Sequence, residues 1–221
     1  MEVVTLPYCL KKKMNKELTI SHSIYISKGK VLFDGQIVYT HPGENDFSAF
    51  SKDLYKKIEC NYPKFYKMDN LCKLAFLAGE ILIKRSKIPE IQAENVALIF
   101  ANSGSTIDTD TKFIESFNAI PSPAIFVYTL PNIAIGELCI RHGWKGEGMF
   151  LVQSQFNPQE LIDHTVFTFN SANTKLCLLG WIEYLSVDNY LANLWLVSDT
   201  FNRGDRLLSP IELQSEFNIE L

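Results

Sequence analysis

The residues of this chain best placed to do chemistry lie where a short apolar run meets the start of a helix. Met149-Phe150-Leu151-Val152 reads as a buried strand. Asn157-Pro158-Gln159-Glu160 opens a helix, with Asn157 as the cap, Pro158 at the first helical position and Glu160 three residues after the cap. Gln155 occupies the corner between them. Backbone N–H groups and the positive end of the helix dipole converge at such a corner, so a cysteine there would hold its thiolate readily. A glutamine has no proton to lose at neutral pH. It donates and accepts hydrogen bonds but forms no acyl-enzyme.

Other candidates are scattered. The histidines, His22, His41, His142 and His164, fall in no motif that pairs with Gln155. His142 and His164 sit at expected helix ends, where a histidine commonly answers the dipole. Cys9, Cys60, Cys72, Cys139 and Cys177 have no CxxC spacing, which fits reduced thiols rather than a disulfide frame or a zinc site. Cys139 lies nearest the corner, on an apolar helix face where a free cysteine behaves as a small hydrophobe. Asn102-Ser103-Gly104-Ser105 has two readings, a phosphate loop or a plain strand-to-helix turn. The missing Gly-Lys-Ser ending favours the turn. There is no HExxH, no Walker loop and no Gly-x-Ser-x-Gly elbow, and no metal or cofactor is expected.

The elements that must position the corner are legible as a pattern. Asn132 and Gly143 bracket a helix over Ile133 to His142, with Asn132 read as its N-cap and Gly143 as its left-handed stop. Leu18 to Ile26 and Lys30 to Tyr39 read as strands about the Lys28-Gly29 turn, with a further turn at Asp34-Gly35. A loop over His41 to Asp46 leads to a helix from Phe47 to Cys60. Leu71, Leu74, Ala75, Ala78 and Leu82 share one helical stripe behind the cap Asp69. Val96 to Ala101 reads as a buried strand, Thr106 to Phe117 and Leu161 to Phe169 as helices, and Lys175 to Glu183 and Tyr190 to Val197 as neighbouring strands. The charged, turn-rich stretch from Phe201 to Leu221 reads as a terminus.

Composition sets the outer limits. The chain has 221 residues, 47% of them hydrophobic, and a net charge of −4. That is enough for a single core, and one domain over residues 1–221 is expected. An acidic balance argues against non-specific nucleic-acid binding. No apolar run is long enough to span a bilayer, and Met1 to Lys13 lacks the apolar stretch of a signal peptide, so a cytoplasmic location is expected. The Lys11-Lys12-Lys13 triplet and the Lys64/Lys67 pair read as solvated surface, with carrier-protein docking as the other reading.

Several of these residues together resemble the N-terminal half of the β-ketoacyl synthases, which have a thiolase-like fold. Ser122-Pro123, Pro131-Asn132 and the Lys145-Gly146-Glu147 turn match the family's run into its nucleophile strand, and Tyr66-Lys67-Met68-Asp69 resembles the Arg-Met-Asp that precedes a long core helix. On that resemblance Gln155 stands at the family's cysteine. Gln155-Phe156-Asn157-Pro158 departs from the Cys-x-x-Gly pattern, and a glutamine at the cysteine position is similar to chain-length factors and to decarboxylating loading synthases. The implied fold is α/β, half a thiolase-like unit with a mixed five-stranded sheet and helices on both faces.

The implied function is that of a non-catalytic, half-length subunit paired with a full-length ketosynthase in aryl-polyene or flexirubin-like synthesis, the family's histidines belonging to a second half. An acyl carrier protein is a further partner the resemblance admits. Phe113 and Phe117 become candidates for an acyl tunnel, ordinary aromatic packing being the rival reading. Met149, Phe150, Leu151, Val152 and Gln153 become candidates for a strand that pairs across a dimer axis. The alternatives are a malonyl-carrier decarboxylase using Gln155 with a partner's histidines, and a structural homodimer.

Overall fold

The computed structural model describes residues 17–43, 46–88, 90–118 and 120–218. Cys9, the Lys11-Lys12-Lys13 triplet and part of the His41 to Asp46 loop lie outside the described residues.

The chain opens with β1 (Thr19–Ser27), β2 (Lys30–Phe33) and β3 (Gln36–Thr40), an antiparallel meander. Its turns fall where Lys28-Gly29 and Asp34-Gly35 predict them, all four residues at positive φ. Helix α1 (Phe47–Lys57) follows, shorter than the predicted run to Cys60 because Glu59 turns the chain at φ 51. A 3-10 turn at Pro63–Lys67 leads into α2 (Asn70–Ser86), capped by Asp69 Oδ1, which accepts from the Cys72 N–H at 2.9 Å. The predicted stripe of α2 is buried, and so are Phe76, Leu77 and Ile81 beside it, so this helix is buried over most of its circumference.

Next come β4 (Val96–Asn102), α3 (Ile107–Ser116), α4 (Pro123–Val127), α5 (Ile133–His142) and β5 (Gly148–Val152). The remainder is α6 (Pro158–Ser171), β6 (Leu176–Tyr184), β7 (Tyr190–Ser198), β8 (Arg206–Leu207) and α7 (Pro210–Phe217). The sheet is mixed and has eight strands rather than the expected five, in the order β3-β2-β1-β7-β6-β4-β5, with β8 also on β1. The N-terminal meander joins the β4-β6-β7 core through β1, which accounts for the larger count. β4 runs parallel to β5 and β6, and the other pairs are antiparallel.

Two cores flank the sheet. Val96, Leu98, Phe100, Leu178, Ile182 and Leu194 face α1, α2 and α5. Ala97, Ile99, Cys177, Leu179, Trp181 and Trp195 face α6 and α7. Side chains alternate between faces along a strand, so a strand buried on both sides reads as one continuous apolar run, which is what β4 and β6 show. In β1 a bulge between Ile20 and His22 inserts one residue and reverses that alternation. Ile20 therefore joins one core while Ile24 and Ile26 join the other.

Three expectations are corrected. The terminal stretch is part of the fold over its described residues 201–218, since Leu213 is fully buried and Phe217 packs on Phe156. Asn132 caps nothing with its side chain, because a turn from Leu130 to Ile133 already winds the chain into α5. The run at Met149 is half-buried, since among the described residues β5 is an edge strand with a neighbour on one side only.

Candidate functional site

β4 and β5 lie side by side, and each ends in a corner that leads into a helix. β5 is set against β4 by main-chain bonds from Leu98 N–H to Glu147 O (2.9 Å) and from Gln153 N–H to Asn102 O (2.8 Å). The turn before it is equally tight. Lys145 N–H donates to Ala93 O at 2.9 Å, and a Cβ on Gly146 would sit 2.3 Å from Val96 O. Glycine is required there by the closeness of the two backbones.

Beyond β5 the chain bends at Ser154 and Gln155 and enters α6. Asn157 Oδ1 accepts from the Glu160 N–H at 3.3 Å, and Asn157 Nδ2 donates to Glu160 Oε2 at 3.3 Å, so the predicted cap is formed. Gln155 thus stands at the mouth of α6 as the sequence places it. It is exposed, and among the described residues no hydrogen bond holds its side chain. The next residue, Phe156, turns inward. It stacks on Phe217 at 4.1 Å between ring centroids and also meets Trp181 and Trp195. This aromatic base under the corner was missed in the sequence. Its one signal is the large aromatics on β6 and β7, which a strand pattern alone reads as core.

The β4 corner is closed by its own chain. Glu183, buried on β6, accepts through Oε2 from Ser103 N–H (2.8 Å) and Ser103 Oγ (2.5 Å), and through Oε1 from Gly104 N–H (2.9 Å). Asn102 adds reciprocal bonds with the Ser105 backbone. The donors that a phosphate would need already serve a carboxylate, so the plain-turn reading holds.

Burial disfavours the thiolate of each described cysteine. Cys72 lies in the first turn of α2, but burial pushes its pKa well above the usual value and Asp69 reinforces the shift. Burial and then Glu80 push Cys60 up to about 11, and burial raises Cys139 and Cys177 as well. None of these described cysteines stands at the mouth of α6.

Three of the four histidines lie beside carboxylates away from the corner, and His164 falls within α6 rather than at the helix end expected of it. His22 Nδ1 pairs with Asp34 at 2.7 Å, and His41 lies 3.5 Å from Asp53. His142 Nε2 is 2.6 Å from Glu80 Oε1, off the line of a good hydrogen bond, and its ring stacks on Trp144 at 4.5 Å. Glu80 also takes Arg141 Nε at 3.3 Å and the Cys60 thiol at 3.3 Å, tying the C-terminus of α5 to α2. A buried carboxylate, Glu137, takes Lys64 Nζ at 2.9 Å and Tyr128 Oη at 3.2 Å. Both clusters hold α5 in place. Among the described residues no histidine bonds to Gln155, and no group of His, Cys, Asp and Glu has the arrangement of a metal site.

Phe113 and Phe117 come together at 5.2 Å, and Phe126 joins Phe113 at 5.4 Å. They form a surface cluster, with Phe113 half-buried and Phe117 59% exposed. α3 buries only Thr109 and α4 buries no residue, while Ile114, Ile120, Val127 and Leu130 are also exposed. Polar links at the base, Thr109 Oγ1 to Asp69 Oδ2 (2.7 Å) and Thr106 Oγ1 to Thr129 O (2.8 Å), hold this apolar segment to the body. On β5, Met149 and Leu151 pack toward α6, Phe150 packs toward the opposite core, and Val152 is 56% exposed.

Comparison with solved structures recognises this arrangement. The chain is similar to the ishigamide ketosynthase/chain length factor, with a TM-score of 0.63 and 15% identity over 82% of this chain and 62% of that one. This is a ketosynthase fold. The mixed sheet with helices on both faces is that of the thiolase-like ketosynthases and chain length factors. Similar too is a chain of the ketosynthase ApeO in complex with its chain length factor ApeC from Xenorhabdus doucetiae (TM-score 0.57, 12% identity, 82% of this chain and 79% of that one). A third is the AntDE:AntF assembly, a type II acyl-carrier protein in complex with its ketosynthase (TM-score 0.55, 12% identity, 83% and 62%). The chain spans 62% of the length of the first of these. No protein-family model and no curated protein matches the sequence. Among the described residues no helix is long and apolar enough to cross a membrane.

Proposed function

We propose that this chain is a ketosynthase-like subunit that does not itself condense acyl groups, and that it pairs with a full-length ketosynthase through the free edge of β5. The observation that supports the reading is the corner after β5: an exposed glutamine at a helix mouth in a ketosynthase-like fold, where on the family resemblance a condensing enzyme would need a thiolate. The open edge of β5 supports the pairing, because unpaired main-chain groups on an apolar edge strand invite another strand. The exposed Phe113-Phe117-Phe126 cluster supports a role in walling an acyl chain once a partner covers it. An aryl-polyene type of product and contact with an acyl carrier protein belong to this proposal.

Co-expression with a ketosynthase encoded beside it, followed by size-exclusion chromatography, tests the pairing. Co-elution at a fixed ratio is expected, and its absence overturns the reading. Release of CO2 from malonyl-carrier protein by the pair, abolished in Gln155→Ala, would establish the decarboxylase alternative instead.

A further inference from the structure

The core between the sheet and α2 runs out where that helix ends. α2 stops at Ser86, with Lys87 in the left-handed region at φ 48 as its last turn-off. Beyond it a groove of about 1040 Å³ lies open across the end of the sheet. Its walls are the starts of β1 and β6, the end of β7, the Asp34-Gly35 turn and the loop from Asn202 to Arg206. β6 runs parallel to β4 and begins beside Val96, so the groove lies at the opposite end of the sheet from Gln155. Its apolar floor is made by Ile88, Ile91, Leu176 and Leu196, which belong to that core or pack against it.

Four carboxylates line the groove, and each is answered from within the chain. Asp34 Oδ1 accepts from the Ser23 N–H at 2.8 Å, and its Oδ2 lies 2.7 Å from His22 Nδ1. Asp199 takes Lys175 Nζ at 3.3 Å, and Asp205 accepts from the Asn202 N–H at 2.9 Å. Glu216 takes Arg206 and the Trp195 indole N–H. Lys175 and Arg206 are held by the same pairs. Arg203 differs. It is exposed on the rim, and among the described residues no hydrogen bond or ion pair holds it. The charge left over in the groove is therefore positive, although its acids outnumber its Lys and Arg side chains.

An apolar floor beside one free guanidinium fits an amphipathic anion. The floor takes an alkyl chain out of water, and the parallel N–H groups of Arg203 match the two oxygens of a carboxylate. A single free cation balances a carboxylate but not a dianionic phosphate. We propose that this groove binds an alkyl carboxylate, its chain along Ile88, Ile91, Leu176 and Leu196 and its head on Arg203. The site is remote from β5 and Gln155, so it does not depend on the pairing with a ketosynthase.

Titrating the isotope-labelled full chain with octanoate, followed by amide NMR, tests the site. Saturable shifts are expected at the Gly35 and Gly204 amides, which line the groove, and at the Trp195 indole N–H, held by the groove residue Glu216. The Gly148 amide and the Gln155 side chain should not move. Octylammonium, with the same chain and the opposite charge, and acetate, a head without a chain, should shift none of these signals. Arg203→Ala should weaken octanoate binding about fivefold and leave thermal unfolding unchanged, since the side chain makes no contact that the fold uses. Ile91→Ala should weaken it about threefold. Absence of saturable shifts, equal shifts with octylammonium, undiminished binding in Arg203→Ala, or shifts confined to α3 and α4 would each overturn the proposal. No ketosynthase enters these measurements, so their failure is distinct from a failure to co-elute with one.

Discussion

The ends of β4 and β5 are neighbouring corners of one sheet, and the sequence treats them in opposite ways. At the β4 corner the Ser103 and Gly104 donors are all taken up by Glu183, a buried carboxylate from the next strand. At the β5 corner the helix start is capped by Asn157, Phe156 is driven into an aromatic base, and Gln155 is left in solvent. Both corners offer backbone N–H groups beside a helix. One spends them on the stability of the fold, and the other leaves a polar side chain, Gln155, in solvent.

That contrast can be broken most directly at Glu183. Glu183→Ala strands buried donors at Ser103 and Gly104 and should cost about 3 kcal/mol in urea unfolding, with Glu183→Gln retaining part of the loss. A cost below about 1 kcal/mol would show that the closed corner contributes little. Gly146→Ala comes next, since its Cβ would press on the carbonyl of Val96 and shift β5 from β4. A loss of about 2 kcal/mol is expected, with weaker hydrogen-exchange protection in β5.

Acid sensitivity sharpens the comparison through the support of α5. Burial alone would raise the Glu80 carboxyl, but His142 and Arg141 outweigh it and the pKa lies below the usual value. A carboxyl depressed in the folded state stabilises above its unfolded pKa of about 4.3, and that contribution disappears as pH falls through the folded value. Glu80→Gln should flatten the acid limb of the stability curve, by no more than about 1 kcal/mol because Arg141 and His142 are partly solvated. The smallest effect belongs to the open corner. Gln155→Ala should change stability by less than about 0.5 kcal/mol, and a larger loss would show that Gln155 is structural after all.

Much of this was readable along the chain because it depends on neighbours in sequence. The turns at Lys28-Gly29 and Asp34-Gly35, the stop at Gly143, the cap at Asn157 and the position of Gln155 at a helix mouth all follow from local sterics and local hydrogen bonds. The apolar runs of β4 and β6 showed strands buried on both faces. A similar run at Met149 to Val152 belongs to an edge strand, because a run of apolar side chains does not say how many strands lie beside it. Only the folded sheet decides that β5 has a free side, that Glu183 reaches Ser103 across eighty residues of chain, and that the segment after Phe201 completes a core. Phe113 and Phe117 fit one amphipathic helix equally well buried or exposed, and the fold sets them at the surface. Short-range chemistry determined where this chain turns and what stands at the corner. Long-range packing decided which edges and donors remain open, since those depend on partners that no local stretch contains.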